Sequence, residues 1–286
     1  MPTIEHEEKE YAAAQTAVTE KLVEQLKYWR DQLSSVPPTS EPLEEADRLF
    51  MAQMATRLLE LSLRPAAVHD LNEVRKLVRP FGVGEFATNI ELDDFAKMIA
   101  ETGAIFRGHF VLLSEMHSDY FFMFSRLATR VEFKKKLAVE LAKRFSSEKI
   151  DTVIAPVTAG GLIVQEVASE LKASFAFYDV DDHSRPCAIR RGYSVRGRTL
   201  ILNDMTTTGE GVEKMIKILR VASVEPVGIG LIAIRGATGI EIVDKLVTDK
   251  YKVEALFHLA IEAVKKDKCQ KCRLGLPFVS SADINR

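Results

Sequence analysis

The sequence is poor in the features that mark secreted, membrane-spanning or nucleic-acid-binding chains. Three cysteines in 286 residues do not make a disulfide framework. No apolar run approaches the ~20 residues of a bilayer-spanning helix. The first ten residues, Met1 to Glu10, are polar and acidic, so a secretory leader is not expected. Lys and Arg number 39 against 41 Asp and Glu, a formal net charge of −2. That balance gives no general pull toward nucleic acid. These absences make the cytoplasm the expected location. What is present is a hydrophobic content of 47%, ample for a core, in a chain long enough for one large or two modest domains.

The most informative stretch is Thr199-Leu200-Ile201-Leu202-Asn203-Asp204-Met205-Thr206-Thr207-Thr208-Gly209-Glu210-Gly211. Thr199 to Leu202 is apolar and β-favouring, the pattern of a strand buried on both faces. A polar, acidic tip and a Thr-Thr-Thr-Gly turn follow, and then an amphipathic run from Val212 to Val221 that predicts a helix. A turn between a buried strand and a helix N-terminus aims backbone N–H groups at one point, where the helix dipole favours a phosphate. Thr hydroxyls add donors, and Gly209 permits close approach. The Asp204 carboxylate faces the same crevice, suited to sugar hydroxyls or a metal-bound phosphate. The alternative is an ordinary strand–turn–helix unit.

Residues 1 to about 100 predict helices. Val18, Leu22, Leu26, Trp29 and Leu33 line one face, and Leu43, Ala46, Phe50, Met54, Leu58 and Leu61 line another. Ser34 to Ser40, with Pro37-Pro38, reads as a linker between them. Pro65 opens an expected third helix from Ala66 to Val78, ended by Pro80, Gly82 and Gly84. No catalytic pattern lies here, so a helical cap, a dimerisation surface or a partner-binding element is expected. His6 and His69 are isolated and expected at the surface.

Glu91 to Glu101 predicts a short helix with Gly103 as its C-cap. Gly108 to Phe122 begins with the alternating run Phe110 to Ser114, a strand or extended arm. Val131 to Phe145 has helical spacing, with a solvated basic face at Lys134, Lys135 and Lys136. Thr152 to Pro156 predicts a second buried strand. Val157-Thr158-Ala159-Gly160-Gly161 then forms another anion-competent turn before a helix from Leu162 to Leu171. Ala173 to Phe177 predicts a strand, and Tyr178 to Tyr193 a polar loop. Pro226 to Ile234 is a further buried strand with Arg235 at its carboxyl end, for which a structural salt bridge is the plain reading. Val253 to His258 predicts a last strand. Cys269-Gln270-Lys271-Cys272 supplies at most half a zinc site, which would need a second pair, for example from a partner subunit; free thiols are favoured and no metal ligand is assigned.

Leu202 to Gly211 resembles the motif of type I phosphoribosyltransferases, with Asn203 in place of the first of two acids and Gly211 in place of a small hydroxyl residue. Gly108 to Phe122 resembles the hood of the orotate phosphoribosyltransferase-like branch, with Glu115 in place of a glycine and Met116 where a basic residue is usual. Ile189-Arg190-Arg191-Gly192-Tyr193 and the Cys-x-x-Cys tail match the same branch in order. The resemblance implies an α/β phosphoribosyltransferase type I fold: a mostly parallel sheet flanked by helices, with a hood and an N-terminal helical extension. It places the extension at residues 1–90 and the phosphoribosyltransferase-like domain at 91–286.

By the same resemblance the chain is a Mg²⁺-dependent pentosyltransferase of pyrimidine nucleotide metabolism, working as a homodimer with no nucleic-acid or membrane partner. Phosphoribosyl pyrophosphate would meet Asn203, Asp204, Thr206, Thr207, Thr208, Gly209 and Gly211 at its 5′-phosphate and ribose. Ala159, Gly160 and Gly161 would face its pyrophosphate. The base, orotate or a similar ring, would meet Phe121, Phe122 and Arg235. Asp204, Arg190 and Arg191 would be catalytic. No lysine occurs from Ala173 to Glu213, where many relatives carry one in a mobile loop, so Arg185, Arg190 or Arg191 must supply the charge. Otherwise the chain is a catalytically impaired regulatory protein that binds phosphoribosyl pyrophosphate or a nucleotide.

Overall fold

A computed structural model of the chain describes residues 24–32, 34, 47–56, 64–81, 91–112, 114–181 and 185–280. It divides into two compact units, Met1–Arg64 and Pro65–Arg286. In the first, residues 24–32 (α1) and 47–56 (α2) are helical, as their apolar spacing predicts, and Ser34 is helical too. His6, the rest of the expected linker (35–40) and the apolar positions Val18, Leu22, Leu33, Leu43, Ala46, Leu58 and Leu61 lie outside the described residues.

The second unit begins earlier than the sequence suggests. Ala66–Ala67 is a strand (β1), Leu71–Leu77 a helix (α3) and Val78–Pro80 a strand (β2), where a single helix was expected. Asp70 caps α3 by accepting the Glu73 N–H at 2.9 Å. β2 pairs antiparallel with the last long strand, Lys252–Leu259 (β10). Pro80 is tolerated there because the strand is at a sheet edge. Residues 65–81 therefore pack as part of this unit, and the division falls at 64/65 rather than at 90/91. Gly82 and Gly84 lie outside the described residues.

The main sheet has seven strands in the order β2-β10-β9-β8-β5-β6-β7. β5 is Thr152–Pro156, β6 Ser174–Val180, β7 Pro186–Ile189, β8 Thr199–Thr206 and β9 Pro226–Arg235. The five strands from β10 to β6 run parallel and the two edges antiparallel. Alternation along the central strands sorts their side chains onto two faces. Val153, Ala155, Leu200 and Leu202 join one core cluster, with Leu137 and Leu141 of α6 (Val131–Arg144) and Val167 of α7 (Val164–Leu171). Ile154 and Ile201 join the other, with Met215 and Leu219 of α8 (Glu210–Val221) and Val243 and Leu246 of α9 (Gly236–Thr248). Helices on both faces explain why these strands read as continuous apolar runs.

The polar stretch expected as a loop from Tyr178 to Tyr193 is instead largely a hairpin. β6 runs on to Val180, and β7 returns beside it, with Tyr178 opposite Ile189. Residues 182–184 at its tip lie outside the described residues. Asp181 accepts the Arg185 N–H at 2.9 Å, which closes the turn.

A second, four-stranded sheet forms the hood: Ile105–Val111 (β3) pairs with β1, with His117–Phe122 (β4) and with Val279–Ser280 (β11). It follows α4 (Leu92–Thr102), whose C-cap Gly103 adopts φ 57° as expected. Phe124–Ala128 (α5) leads from it toward α6. The tail returns to the hood through the short helix Gln270–Arg273 (α10), and β11 runs parallel to β3 at Phe110 and Val111. His69 is exposed as expected. The two hood histidines are buried: His109 and His117 are 4% and 3% exposed.

Candidate active site

The parallel strands deliver their carboxyl ends to one side of the sheet, where ligands bind in α/β folds. Register makes the neighbours specific. Asn203 lies opposite Leu231 and Thr206 opposite Ile234, so the tip of β8 is flanked by Arg235 at the end of β9. Pro156 lies opposite Tyr178, so β5 and β6 end together on the other flank. Between these tips and the hood turn is a cleft of about 680 Å³.

The cleft is lined by Asn203, Asp204, Thr206, Thr207, Thr208, Gly209 and Gly211 from the β8–α8 connection. Arg235, Phe121 and Phe122, the residues expected on the base side, line it too. Gly209 is the N-cap of α8 at φ 72°, and its N–H donates to Thr206 Oγ1 at 3.1 Å. Only glycine fits: a Cβ there would stand 2.3 Å from Ile242 Cγ2 of α9. The turn thus holds the first N–H groups of a twelve-residue helix toward the cleft. Glu213, in that first turn, is ion-paired to Lys245. Gly211 faces open space. The Asn203 amide is turned onto its own strand end, its Oδ1 accepting the Asp204 N–H at 3.0 Å.

Ala159, Gly160 and Gly161 form a 3-10 turn (Ala159–Leu162) before α7. This turn backs onto the β8 tip, since a Cβ on Gly160 would lie 3.0 Å from Asn203 Oδ1. A Cβ on Gly161 would lie 2.4 Å from the Pro156 carbonyl. Gly160 and Gly161 do not line the cleft; Pro156 and Thr158, just before the turn, do. The double glycine is thus required by packing against β5, and Thr158 presents the turn's polar edge.

Arg190 and Arg191 do not line the cleft either. Arg190 Nη1 is 2.7 Å from Asp179 Oδ1, an exposed pair, and Arg191 is exposed in the turn after β7. The loop arginine in the cleft wall is Arg185, whose Nε is 2.8 Å from Asp181 Oδ2. Tyr178 and Lys214 also line the cleft and were outside the expected set. Lys214 lies in the second turn of α8, just past the lysine-free span, and its spacing from Gly209 could have marked it. Tyr178 is the last buried residue of β6.

Burial governs the charges. Asp204 is half-buried, and its carboxyl is pushed up to about 6 by desolvation, against the pull of backbone N–H groups and Arg235. Arg235 is 1% exposed, and desolvation lowers its guanidinium to about 10. Its Nε and Nη2 have no hydrogen-bond partner, and its Cζ lies 5.9 Å from the centre of the Phe121 ring. The salt bridge that the plain reading gave Arg235 is absent among the described residues. Buried guanidinium N–H groups are costly unless an acceptor meets them. The Tyr178 hydroxyl is shifted upward by burial, and Asp204 adds to the shift.

Comparison with known proteins agrees with this geometry. No family model matches the chain. Over 191 residues it is 30% identical to orotate phosphoribosyltransferase of Thermus thermophilus, covering 65% of this chain and 98% of that one. It is 29% identical over 191 residues to orotate phosphoribosyltransferase of Desulforamulus reducens, covering 65% and 94%. Among solved structures, it aligns with orotate phosphoribosyltransferase of Aeropyrum pernix at 22% identity and a TM-score of 0.45, over 56% of this chain and 91% of that one. UMP synthase of Leishmania donovani aligns at 25% identity and a TM-score of 0.48, over 56% and 34%. On the sequence relatives, matched over nearly their whole length, this chain belongs to the orotate phosphoribosyltransferase family.

Proposed function

We propose that the chain transfers the phosphoribosyl group of phosphoribosyl pyrophosphate to a ring nitrogen of orotate, releasing pyrophosphate. The observation that carries the choice of base is Arg235, a buried guanidinium with two unpartnered nitrogens at the cleft wall beside Phe121. A planar ring bearing a carboxylate satisfies both features: Arg pairs with the carboxylate, and Phe121 covers the ring face. In the transfer, the ring nitrogen loses its proton to water and forms a bond to C1′ while the C1′–O bond to pyrophosphate breaks, its electron pair leaving with pyrophosphate. Positive charge develops on the ribose in between.

The remaining residues divide the substrate among them. The turn Thr206-Thr207-Thr208-Gly209 and the α8 N-terminus take the 5′-phosphate. Asp204 accepts hydrogen bonds from the ribose hydroxyls and opposes the positive charge that develops on the sugar. Thr158 and Arg185 serve the pyrophosphate side, with Arg185, of the three candidate arginines, supplying the positive charge. Asp204 and the Asn203 amide offer an all-oxygen donor set. Mg²⁺ takes one or two carboxylates together with substrate phosphates and water, so these residues fit it. Bound with the substrate, Mg²⁺ supplies neutralisation of the pyrophosphate charge. The homodimer belongs to the same proposal. Sedimentation of the full chain at the mass of one 32.0 kDa subunit would contradict it.

Calorimetry with phosphoribosyl pyrophosphate and Mg²⁺, followed by orotate, uracil and purines, tests the reading. Binding of phosphoribosyl pyrophosphate together with product from orotate supports it. Binding without product from any base favours a regulatory protein instead, the reading to which the ion-paired Arg185 and Arg190 lend weight.

A further inference from the structure

Four potential metal ligands converge in the hood, around the β3–β4 hairpin and the tail that returns to it. They are His109 of β3, His117 of β4, and Cys269 and Cys272 around α10. Their ligand atoms all lie within 4.8 Å of one another. Cys-x-x-Cys alone is half a site, and the β3–β4 hairpin of the same chain brings the other half. None of the four lines the cleft.

The distances match a specific geometry. Zinc bonds of about 2.0–2.1 Å to nitrogen and about 2.3 Å to sulfur, arranged tetrahedrally, place N···N ~3.3 Å, N···S ~3.6 Å and S···S ~3.8 Å apart. His109 Nε2 is 3.1 Å from His117 Nδ1, 3.3 Å from Cys269 Sγ and 3.6 Å from Cys272 Sγ. Cys272 Sγ is 3.3 Å from His117 Nδ1.

Hydrogen bonding does not account for the cluster. An imidazole nitrogen has one in-plane direction, holding either one hydrogen or one lone pair, yet His109 Nε2 has three neighbours at contact distance. The tautomer is fixed from behind. His109 Nδ1 is 3.2 Å from the Pro277 carbonyl, which can only accept. The hydrogen is therefore on Nδ1, and the bare Nε2 lone pair faces the cluster, the second-shell arrangement of metal-bound histidine.

We propose that His109, His117, Cys269 and Cys272 bind one structural zinc ion. Four protein ligands leave no open position, so the ion is a staple rather than a catalyst. It ties the tail to the hood, where the apolar satellite cluster is small, with Phe106, Phe110 and Leu112 as its buried members among the described residues. It also closes the base of the turn that carries Leu112, Ser114 and Glu115 into the cleft wall.

The full chain, purified without added metal, should contain one zinc per chain. The double variant Cys269→Ser/Cys272→Ser and the single variant His109→Ala should lose it, while Asp204→Asn keeps it. Replacement by Co²⁺ should give the visible bands of a tetrahedral thiolate site. Of the three cysteines, the exposed Cys187 should react at once with a thiol reagent in the native protein. The other two should react only after a chelator, which should also lower the thermal midpoint by several degrees. Three freely reactive thiols with no bound metal would overturn the proposal. So would a Cys269–Cys272 disulfide, or zinc retained by the double cysteine variant. These readouts need no turnover, so they stand or fall separately from the transferase reading.

Discussion

Asp204 and Arg235 end adjacent strands, and burial disfavours the charged form of each. With its pKa near 6, Asp204 is ionised about ten to one at pH 7. Its proton is held more tightly in the folded chain than in the unfolded one, where the carboxyl titrates near 3.8. This group therefore costs no stability below pH 4, and the cost grows as pH rises through 6. The melting temperature of Asp204→Asn, relative to the wild type, should rise between pH 4 and 6 and then level off. A flat difference across that window would contradict the assigned shift.

In the reaction, Asp204→Asn should lower kcat on the order of 100-fold while weakening phosphoribosyl pyrophosphate binding less than tenfold. Arg235→Met tests the base side. A charge-assisted hydrogen bond contributes about 1.5–3 kcal/mol, so orotate affinity should fall roughly 10- to 100-fold. Binding of uracil, which lacks the carboxylate, should change little. Equal losses for both ligands would show that Arg235 is structural.

At the scale of the element, the phosphate turn depends on Gly209, which is left-handed and pressed against Ile242. Gly209→Ala meets both obstacles and should destabilise the chain by about 2–4 kcal/mol while abolishing phosphate binding. Gly211→Ala, in open space within α8, should be neutral or stabilise by up to about 1 kcal/mol. Thermal melts of the pair check this directly; similar losses in both would contradict it. The strand, turn and helix around Gly209 are legible in the sequence because local rules coincide there: an apolar run, a hydroxyl-rich turn and a glycine where φ is positive. The β6–β7 hairpin and the β2 edge strand are not legible, because short polar strands are made by pairing with a neighbour rather than by their own pattern. The placement of Arg185 ahead of Arg190 follows from the hairpin and was hidden for the same reason. The glycines at 160 and 161 were visible, but their contacts with Pro156 and Asn203 exist only once β5 and β8 lie side by side.

Among the described residues, every one lining the cleft falls between Leu112 and Arg235, inside the unit that begins at Pro65. A chain starting at Pro65 should therefore keep its turnover within a few fold, measured beside the full chain. Loss of turnover in a well-folded truncation would show that residues 1–64 contribute to the site. Long-range convergence was the least legible feature. His109 and His117 are about 160 residues from the cysteines they face, and nothing local to either segment points to the other.

The central claim is that the strand tips and Arg235 form a working orotate site, and pyrophosphate release tests it most directly. With full-length chain, Mg²⁺ and phosphoribosyl pyrophosphate, release should depend on orotate and be accompanied by loss of free orotate. It should fall on the order of 100-fold in Asp204→Asn. Tight phosphoribosyl pyrophosphate binding with no orotate-dependent release from well-folded protein would contradict the account.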